Sequence, residues 1–373
     1  MFIEPEKLEI IQWEPSSFCN AQCIACPRTD RETLTTRQHV LDDQRYAEKQ
    51  NIDDIIDSVL DRRLTNLKEF IYNGTHGDSM MHPHIDYIID GVAKNKNIMQ
   101  RVHTNGGGPW QEKLKKIGKN YLIKKPNIKF HIAVDGLEDT GHLYRRNVEW
   151  NQLKKNVKIL KKYEVPFILS MNVFDHNKHQ IEEFKSLATD WGGEYSIQKA
   201  WGNELVNKKI HQKSNIRLHK QKAKQYREGT YTKFILSNNG ITEYDKPTTQ
   251  DTCEWTEKRM IQISSDMSVW PCCYTAELGP IIRIYGKNNR YDRVLTFLTK
   301  QFNGAADQIH WIKQWHKYAN IGQKNEIAQD LFLSKNNLVF DVLNSNTAKF
   351  MKKNLLNVES EFNCDICKFQ CRK

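Results

Sequence analysis

Short apolar runs alternate with helically spaced apolar residues over the first 200 positions of the chain. Runs of three to seven mainly apolar residues, several ending at a polar or glycine-containing turn, are typical of buried strands, whereas apolar residues three and four positions apart are typical of amphipathic helices. The pattern predicts strands at Leu8–Trp13, Phe70–Tyr72, Met99–His103, Ile128–Val134, Phe167–Val173 and Tyr195–Gln198, and helices at Ile52–Leu60, Ile85–Val92, Trp150–Tyr163 and Ile181–Leu187.

This alternation predicts an α/β fold with a parallel sheet, because parallel strands are joined by helical crossovers. About six strand–helix units are too few for a complete eight-unit barrel, so we expect a partial (β/α)6 TIM-like barrel over residues 1–200. Polar residues follow the predicted strands, where parallel α/β sheets place their chemistry. They are Cys19, Asp78, Asn105 and Asp135.

The alternation stops near residue 200. Residues 205–227 contain eight Lys or Arg and no acidic residue, which predicts a polar, solvent-exposed helical segment within a basic linker or insertion at 201–252. Residues 259–270 have the pattern of a β-hairpin, and cysteines recur from Cys253 to the end. We therefore expect a small cysteine-rich auxiliary domain at 253–373.

Composition limits the class of protein. The 373 residues carry a net charge of +11 and contain no apolar run long enough to span a bilayer, so we expect no membrane segment. The N-terminus carries acidic residues and lacks the apolar core of a signal peptide. Nine cysteines clustered at the two ends of a long chain suggest metal or redox sites in a reducing, cytoplasmic environment rather than a disulfide scaffold.

The first cysteine cluster is the C-x3-C-x2-C run of Cys19, Cys23 and Cys26. Three thiolates in one loop can bind three irons of a [4Fe–4S] cluster and leave the fourth iron open to a ligand that chelates through an amine and a carboxylate. A structural zinc ion is the alternative, although zinc sites usually pair two short knuckles or add histidines.

This run resembles the signature of the radical S-adenosylmethionine (SAM) superfamily, and the likeness extends through the first 200 residues. The Gly77–Asp78 turn is similar to the Gly–Glu pair of the superfamily, and Thr104-Asn105-Gly106 is similar to its Thr–Asn–Gly. The resemblance implies a [4Fe–4S] cluster on Cys19, Cys23 and Cys26. It also implies that SAM is bound by Gly77, Asp78, Thr104, Asn105, Gly106, Asp135, Arg145 and Asn172, with Arg145 or Arg146 facing the SAM carboxylate and Asp78 near its amino group.

The C-terminal cysteines resemble those of twitch or SPASM-type auxiliary domains. That resemblance implies a second [4Fe–4S] cluster on Cys253, Cys272, Cys364 and Cys367, with Cys371 as a competitor for the last position. A structural zinc ion on the same four thiols is the alternative, because zinc accepts a C-x2-C pair.

The resemblance implies an enzyme that reductively cleaves SAM to a 5′-deoxyadenosyl radical, which abstracts hydrogen from a small-molecule or peptide substrate in a net oxidation or a peptide modification. An external donor such as flavodoxin or ferredoxin would supply the electron. Two alternatives stay open: an RNA-modifying member of the superfamily, and a non-catalytic iron–sulfur or zinc protein. The net charge suits RNA, but no recognisable RNA-binding module accompanies it, so a nucleic-acid partner is not favoured.

Overall fold

The computed structural model describes residues 3–30, 32–74, 76–200, 203–212, 254–272, 276 and 329–354. Its strands are β1 (Ile10–Trp13), β2 (Glu69–Tyr72), β3 (Met99–Thr104), β4 (Ile128–Ala133), β5 (Phe167–Val173), β6 (Glu194–Lys199), β7 (Met260–Ile263) and β8 (Val269–Trp270). Its α-helices are α1 (Gln38–Asp42), α2 (Lys49–Leu60), α3 (Ile85–Val92), α4 (Gln111–Lys124), α5 (Gly141–Tyr144), α6 (Trp150–Lys162), α7 (Ile181–Asp190), α8 (Asn203–Gln212), α9 (Glu254–Glu257), α10 (Val339–Leu343) and α11 (Asn346–Asn354).

The described residues form two compact units. The first comprises 3–17, 38–74, 254–272, 276 and 329–354, and the second comprises 18–30, 32–37, 76–200 and 203–212. An α/β fold with parallel strands, as the sequence predicts, is present in both units. The domain boundaries expected from the sequence stay a prediction.

The first unit has a sheet in which β1 lies between β2 and β7 and runs parallel to both. Strand β8 pairs with β7 in the antiparallel sense, which is the predicted hairpin. The hairpin lies in the range 253–373 that the sequence predicts as an auxiliary domain, and Ile11 of β1 stands opposite Ile261 of β7. The described hairpin is therefore part of the same unit as the first strand.

The second unit has a parallel sheet in the order β3-β4-β5-β6. Burial alternates along β3, β4 and β5, so one face of these three strands is largely buried, whereas no residue of β6 is buried. That face carries Val102, Phe130 and Leu169, all completely inaccessible to solvent. Such alternation is expected of a sheet covered by helices on one side.

Helices α4 and α6 pack side by side in the second unit. Gln111 at the start of α4 donates hydrogen bonds to Gln152 (2.9 Å) and Asn156 (2.8 Å) of α6. Helix α4 is not among the helices that the hydrophobic pattern predicts, since only its residues Leu114, Ile117 and Gly118 are buried. The remaining positions are mainly polar, which weakens the helical periodicity of the sequence.

Helix α8 differs from the solvated segment that the sequence predicts around residue 205. Val206 is completely buried, in an apolar cluster with Ile24, Ala25 and Phe174. Residues 213–227 of the predicted basic segment lie outside the described residues. The described start of that segment thus belongs to the core of the second unit.

The opposite face of the second sheet holds a pair of stacked histidines. His103 on β3 and His131 on β4 are register partners, with ring centroids 4.7 Å apart and planes 9° from parallel. Burial lowers the pKa of His103 to about 3 and that of His131 to about 4, with nearby positive charge as a second cause. Both rings are therefore neutral at pH 7.

These shifts predict acid-sensitive folding. Because the folded pKa values lie below the unfolded value of about 6.5, the unfolded chain binds more protons than the folded chain as the pH falls below 7. We expect His103 to account for a loss of about 2 kcal/mol in the free energy of unfolding between pH 7 and pH 5, and the less buried His131 to add a smaller loss. Urea denaturation of the wild type and the His103→Gln/His131→Gln variant at both pH values measures it. Equal losses in the two proteins would contradict this assignment.

Candidate active site

The three N-terminal cysteines lie in a loop that follows β1 in the chain and belongs to the second unit. The amide of Cys26 donates to the carbonyl of Cys23 (3.2 Å), which closes a tight turn between them. The amide of Gln22 donates to the carbonyl of Arg146 (2.9 Å), which ties the loop to the segment after α5. These main-chain bonds hold the cysteine loop, and within it the Ala21 amide also donates to Sγ of Cys19 (3.4 Å).

The thiols themselves are poorly solvated. Burial raises the pKa of Cys19 and of Cys23 to about 12 and that of Cys26 to about 11. The protein alone therefore keeps all three as neutral thiols, and a cationic metal centre would have to displace their protons to form thiolates.

The donor set fits an iron–sulfur cluster. Soft thiolates are the usual ligands of such clusters, and no other cysteine lies between Cys26 and Cys253 to complete a four-thiolate set. Within the described ranges, no three His, Cys, Asp or Glu side chains are grouped as one metal ion would require. Three thiolates with no fourth cysteine nearby in the sequence fit a [4Fe–4S] cluster with one open iron better than a structural zinc site, which is usually held by four ligands.

Asp78 is buried and joins the turn after β2 to the end of β3. Its carboxylate accepts hydrogen bonds from the Thr104 hydroxyl (2.9 Å), the Asn105 amide (2.7 Å) and the Met80 amide (3.0 Å). The last bond caps the 3-10 helix Ser79–Met81. Burial raises the pKa of Asp78, although these donors act in the opposite direction. Adjacent Gly77 is half-buried.

Asn105 links the end of β3 to the cysteine loop. Its side-chain amide donates to Oδ1 of Asn20 (2.9 Å) and approaches Sγ of Cys19 (3.7 Å), while its Oδ1 accepts from the Gly107 amide (2.8 Å). Gly106 has a φ of +71°, and a Cβ there would lie 2.5 Å from Cδ1 of Leu153. A glycine is therefore required for the turn that presents Asn105.

Asp135 follows β4 and organises a second network. It is completely buried and has a left-handed φ of 53°. Its Oδ2 accepts from both Nε and Nη2 of Arg145, each at 2.7 Å. Its Oδ1 accepts from the main-chain amide of Asn172 (2.6 Å) and from the side-chain amide of the same residue (3.0 Å).

Arg145 connects this network to the cysteines, because its Nη1 lies 3.8 Å from Sγ of Cys23. Burial is the largest single effect and lowers the pKa of the guanidinium, but the charge and hydrogen bond of Asp135, together with Cys23 and Tyr144, outweigh it and raise the pKa of Arg145. The residue is therefore a permanently charged cation beside the thiol.

Sequence reasoning missed two asparagines of this site. Asn20 supplies the acceptor for Asn105. Asn177 is completely buried and donates to the carbonyls of Asp135 and Asn172, each at 2.9 Å. The sequence gives only weak signals for these two roles. Asn20 is a polar residue between cysteines and Asn177 follows Phe174 by three residues, and asparagine at such positions is common in ordinary turns.

The site residues predicted in the second unit lie close together in the structure. Of the four predicted auxiliary ligands, only Cys272 lies within the described residues. Cys272 follows β8 in the first unit, is only 1% exposed, and lies in an apolar cluster with Ile71, Trp255 and Met260. Cys253, Cys364 and Cys367 lie outside the described residues.

Among the described helices, none combines the length and apolar character needed to cross a membrane.

One protein-family model matches part of this chain. Residues 13–188 match the family model of the radical SAM superfamily. The fold is similar to that of Streptococcus suis SuiB, with a TM-score of 0.45 and 12% identity over 71% of this chain and 60% of that one. It is similar to that of anSMEcpe with bound AdoMet, with a TM-score of 0.45 and 15% identity over 76% of this chain and 79% of that one.

The chain spans 60% of the SuiB chain. A search of curated proteins gave no match. The family match covers the cysteine loop together with Asp78, Asn105, Asp135 and Arg145, and the superfamily implies a [4Fe–4S] cluster and SAM for a domain of this kind. Residues 13–188 of this chain are a domain of the radical SAM superfamily.

Proposed function

We propose that this protein is a radical SAM enzyme that modifies a small-molecule or peptide substrate by hydrogen abstraction. Cys19, Cys23 and Cys26 would hold the [4Fe–4S] cluster. When bound, the cluster and SAM supply the radical chemistry, and the protein supplies position, charge and exclusion of water.

The observation that carries the proposal is that two buried networks converge on the cysteine loop. Asn105 reaches Cys19 from the end of β3, and Arg145 reaches Cys23 from the segment after β4. Buried ionisable groups with shifted pKa values, clustered around adjacent thiols, are typical of functional sites.

SAM binding by Gly77, Asp78, Thr104, Asn105, Gly106, Asp135, Arg145 and Asn172 is part of the proposal. The described bonds give several of these residues a positioning role. Both carboxylate oxygens of Asp78 already accept from the protein, and Oδ2 of Asp135 accepts twice from Arg145. These residues hold the loops that would surround SAM, and main-chain groups of the same loops remain as candidates for contact.

The test is anaerobic reconstitution with iron and sulfide, followed by dithionite and SAM. We expect 5′-deoxyadenosine and methionine to accumulate in equal amounts. An intact cluster that yields neither product would refute the enzymatic proposal and leave a non-catalytic iron–sulfur protein. An external one-electron donor such as flavodoxin or ferredoxin would replace dithionite in the cell.

We propose in addition that the C-terminal cysteines form a twitch or SPASM-like site with a second [4Fe–4S] cluster on Cys253, Cys272, Cys364 and Cys367. The burial of Cys272 beside Trp255 and Met260 supports a shielded site. A cluster there would accept an electron from a substrate radical, giving a net oxidation, or would anchor the substrate.

Metal analysis distinguishes a second [4Fe–4S] cluster from a structural zinc ion at the C-terminal cysteines. We expect about eight irons per reconstituted wild-type chain and about four in Cys272→Ala, because the loss of a ligand prevents assembly of that cluster. One zinc per chain with four irons in the wild type would instead identify a structural zinc site. The Ser186→Ala variant, in which an exposed side chain of α7 is truncated, serves as the control.

A further inference from the structure

The guanidinium of Arg145 is fixed in one orientation. Its Nε and Nη2 both donate to Oδ2 of Asp135, and the carboxylate is itself held through Oδ1 by two amides of Asn172. Asp135 is completely buried, and the side chain of Arg145 is 16% exposed. A cation anchored in this way cannot rotate away from its neighbours without breaking a buried ion pair.

Because Asp135 holds one edge of the guanidinium, the direction of the remaining N–H groups is also fixed. Because Nε and Nη2 form the edge that faces Asp135, Nη1 lies on the side away from it, 3.8 Å from Sγ of Cys23. The Nε/Nη2 edge of the guanidinium is already occupied by Asp135. The group that remains is a charged N–H directed at a cysteine sulfur.

We propose that Arg145 is a positioning and tuning residue that raises the reduction potential of a cluster bound by Cys19, Cys23 and Cys26. This inference rests on the proposed function. Hydrogen bonds to the ligand sulfurs and nearby charge are among the main determinants of iron–sulfur potentials. A fixed cation stabilises the reduced cluster more than the oxidised one, because the reduced form carries one more negative charge.

Asp135 has the opposite electrostatic effect while holding Arg145 in place. Its carboxylate partly neutralises the guanidinium, so its charge favours the oxidised cluster. Removing the cation and removing the anion should therefore shift the potential in opposite directions. A variant that merely loosened the loop would give no such reversal of sign.

The experiment is an electron paramagnetic resonance titration of the reconstituted protein during one-electron reduction by dithionite, in the absence of SAM. We expect Arg145→Gln to shift the equilibrium between oxidised and reduced cluster about tenfold toward the oxidised form, which is a fall of about 59 mV for one electron. Arg145→Lys, which keeps the charge but loses the fork, should give a smaller fall.

Two further variants sharpen the test. Asp135→Asn retains an oxygen acceptor for Arg145 but loses the negative charge, so its potential should rise above that of the wild type. Arg146→Gln is the matched control, because it removes the same charge from the next residue, whose Nη1 donates to the carbonyl of Leu34 (2.8 Å). Its potential should equal that of the wild type.

An unchanged potential in Arg145→Gln at wild-type iron content would overturn the inference, as would shifts of the same sign in Arg145→Gln and Asp135→Asn. If Arg145→Gln fails to assemble a cluster, Arg145→Lys and Asp135→Asn decide the question. A wild-type protein that binds no cluster at all refutes the proposed function, whereas normal cluster assembly with unshifted potentials refutes only the role of Arg145.

Discussion

The Cys23→Ala protein should produce no measurable 5′-deoxyadenosine, a fall of more than about 100-fold from the wild type. Cys23 is the buried member of the three thiols and the one that Arg145 contacts. Loss of a residue that only supports a metal ligand already costs about 10–100-fold in affinity or activity, so loss of the ligand itself should cost more. The measurement is liquid chromatography of reactions with dithionite and SAM, with iron content determined in parallel.

The iron content locates the cause of the loss. We expect Cys23→Ala to lack the iron of the N-terminal cluster while its far-ultraviolet circular dichroism stays that of the wild type. The Ser186→Ala control should retain both iron and product. Wild-type amounts of 5′-deoxyadenosine from Cys23→Ala would show that this thiol is not a cluster ligand.

Replacement of Asp135 by alanine should cause a large loss of stability. The substitution leaves the guanidinium of Arg145 buried without its anion and removes the acceptor of both Asn172 amides. Removing one partner of a buried ion pair costs about 3–5 kcal/mol, because the remaining charge is still desolvated. We expect that decrease in the free energy of unfolding, measured by urea denaturation at pH 7.

A double variant tests the electrostatic explanation. Asp135→Ala/Arg145→Met removes both charges and should recover part of the stability, since an apolar side chain carries no desolvation cost. Glu138→Gln is the control, because its exposed pair with Lys154 (3.7 Å) is worth less than about 1 kcal/mol. If the double variant were less stable than Asp135→Ala, unpaired charge could not be the cause.

Much of the fold could be predicted from local pattern. Strand β5 has the predicted bounds, and the other five predicted strands differ by one or two residues at their ends. Helix α6 was predicted to within one residue, because its buried positions Leu153, Val157 and Leu160 recur at helical spacing. The hydrophobic pattern did not predict helix α4, because the helix has only three buried residues and too few apolar positions to show helical spacing.

Strand partners were harder to predict than strands. The hairpin of β7 and β8 has a local signal, since its strands are close in the chain. The parallel pairing of β7 with β1 joins residues about 250 positions apart, such as Ile11 and Ile261. Nothing in either segment specifies the other, because any apolar strand offers the same main-chain donors and acceptors.

The sequence by itself determined the spacing of Cys19, Cys23 and Cys26, the alternation of strands and helices, and the placement of polar residues at strand ends. These features depend on residues close together in the chain. Only the tertiary structure decided which partner each polar group takes: Asp78 bonds Thr104, and Asp135 bonds Arg145. The physical reason is that a buried charge must be satisfied by the groups that folding brings within hydrogen-bonding distance, and the spacing of residues along the chain does not specify which groups these are.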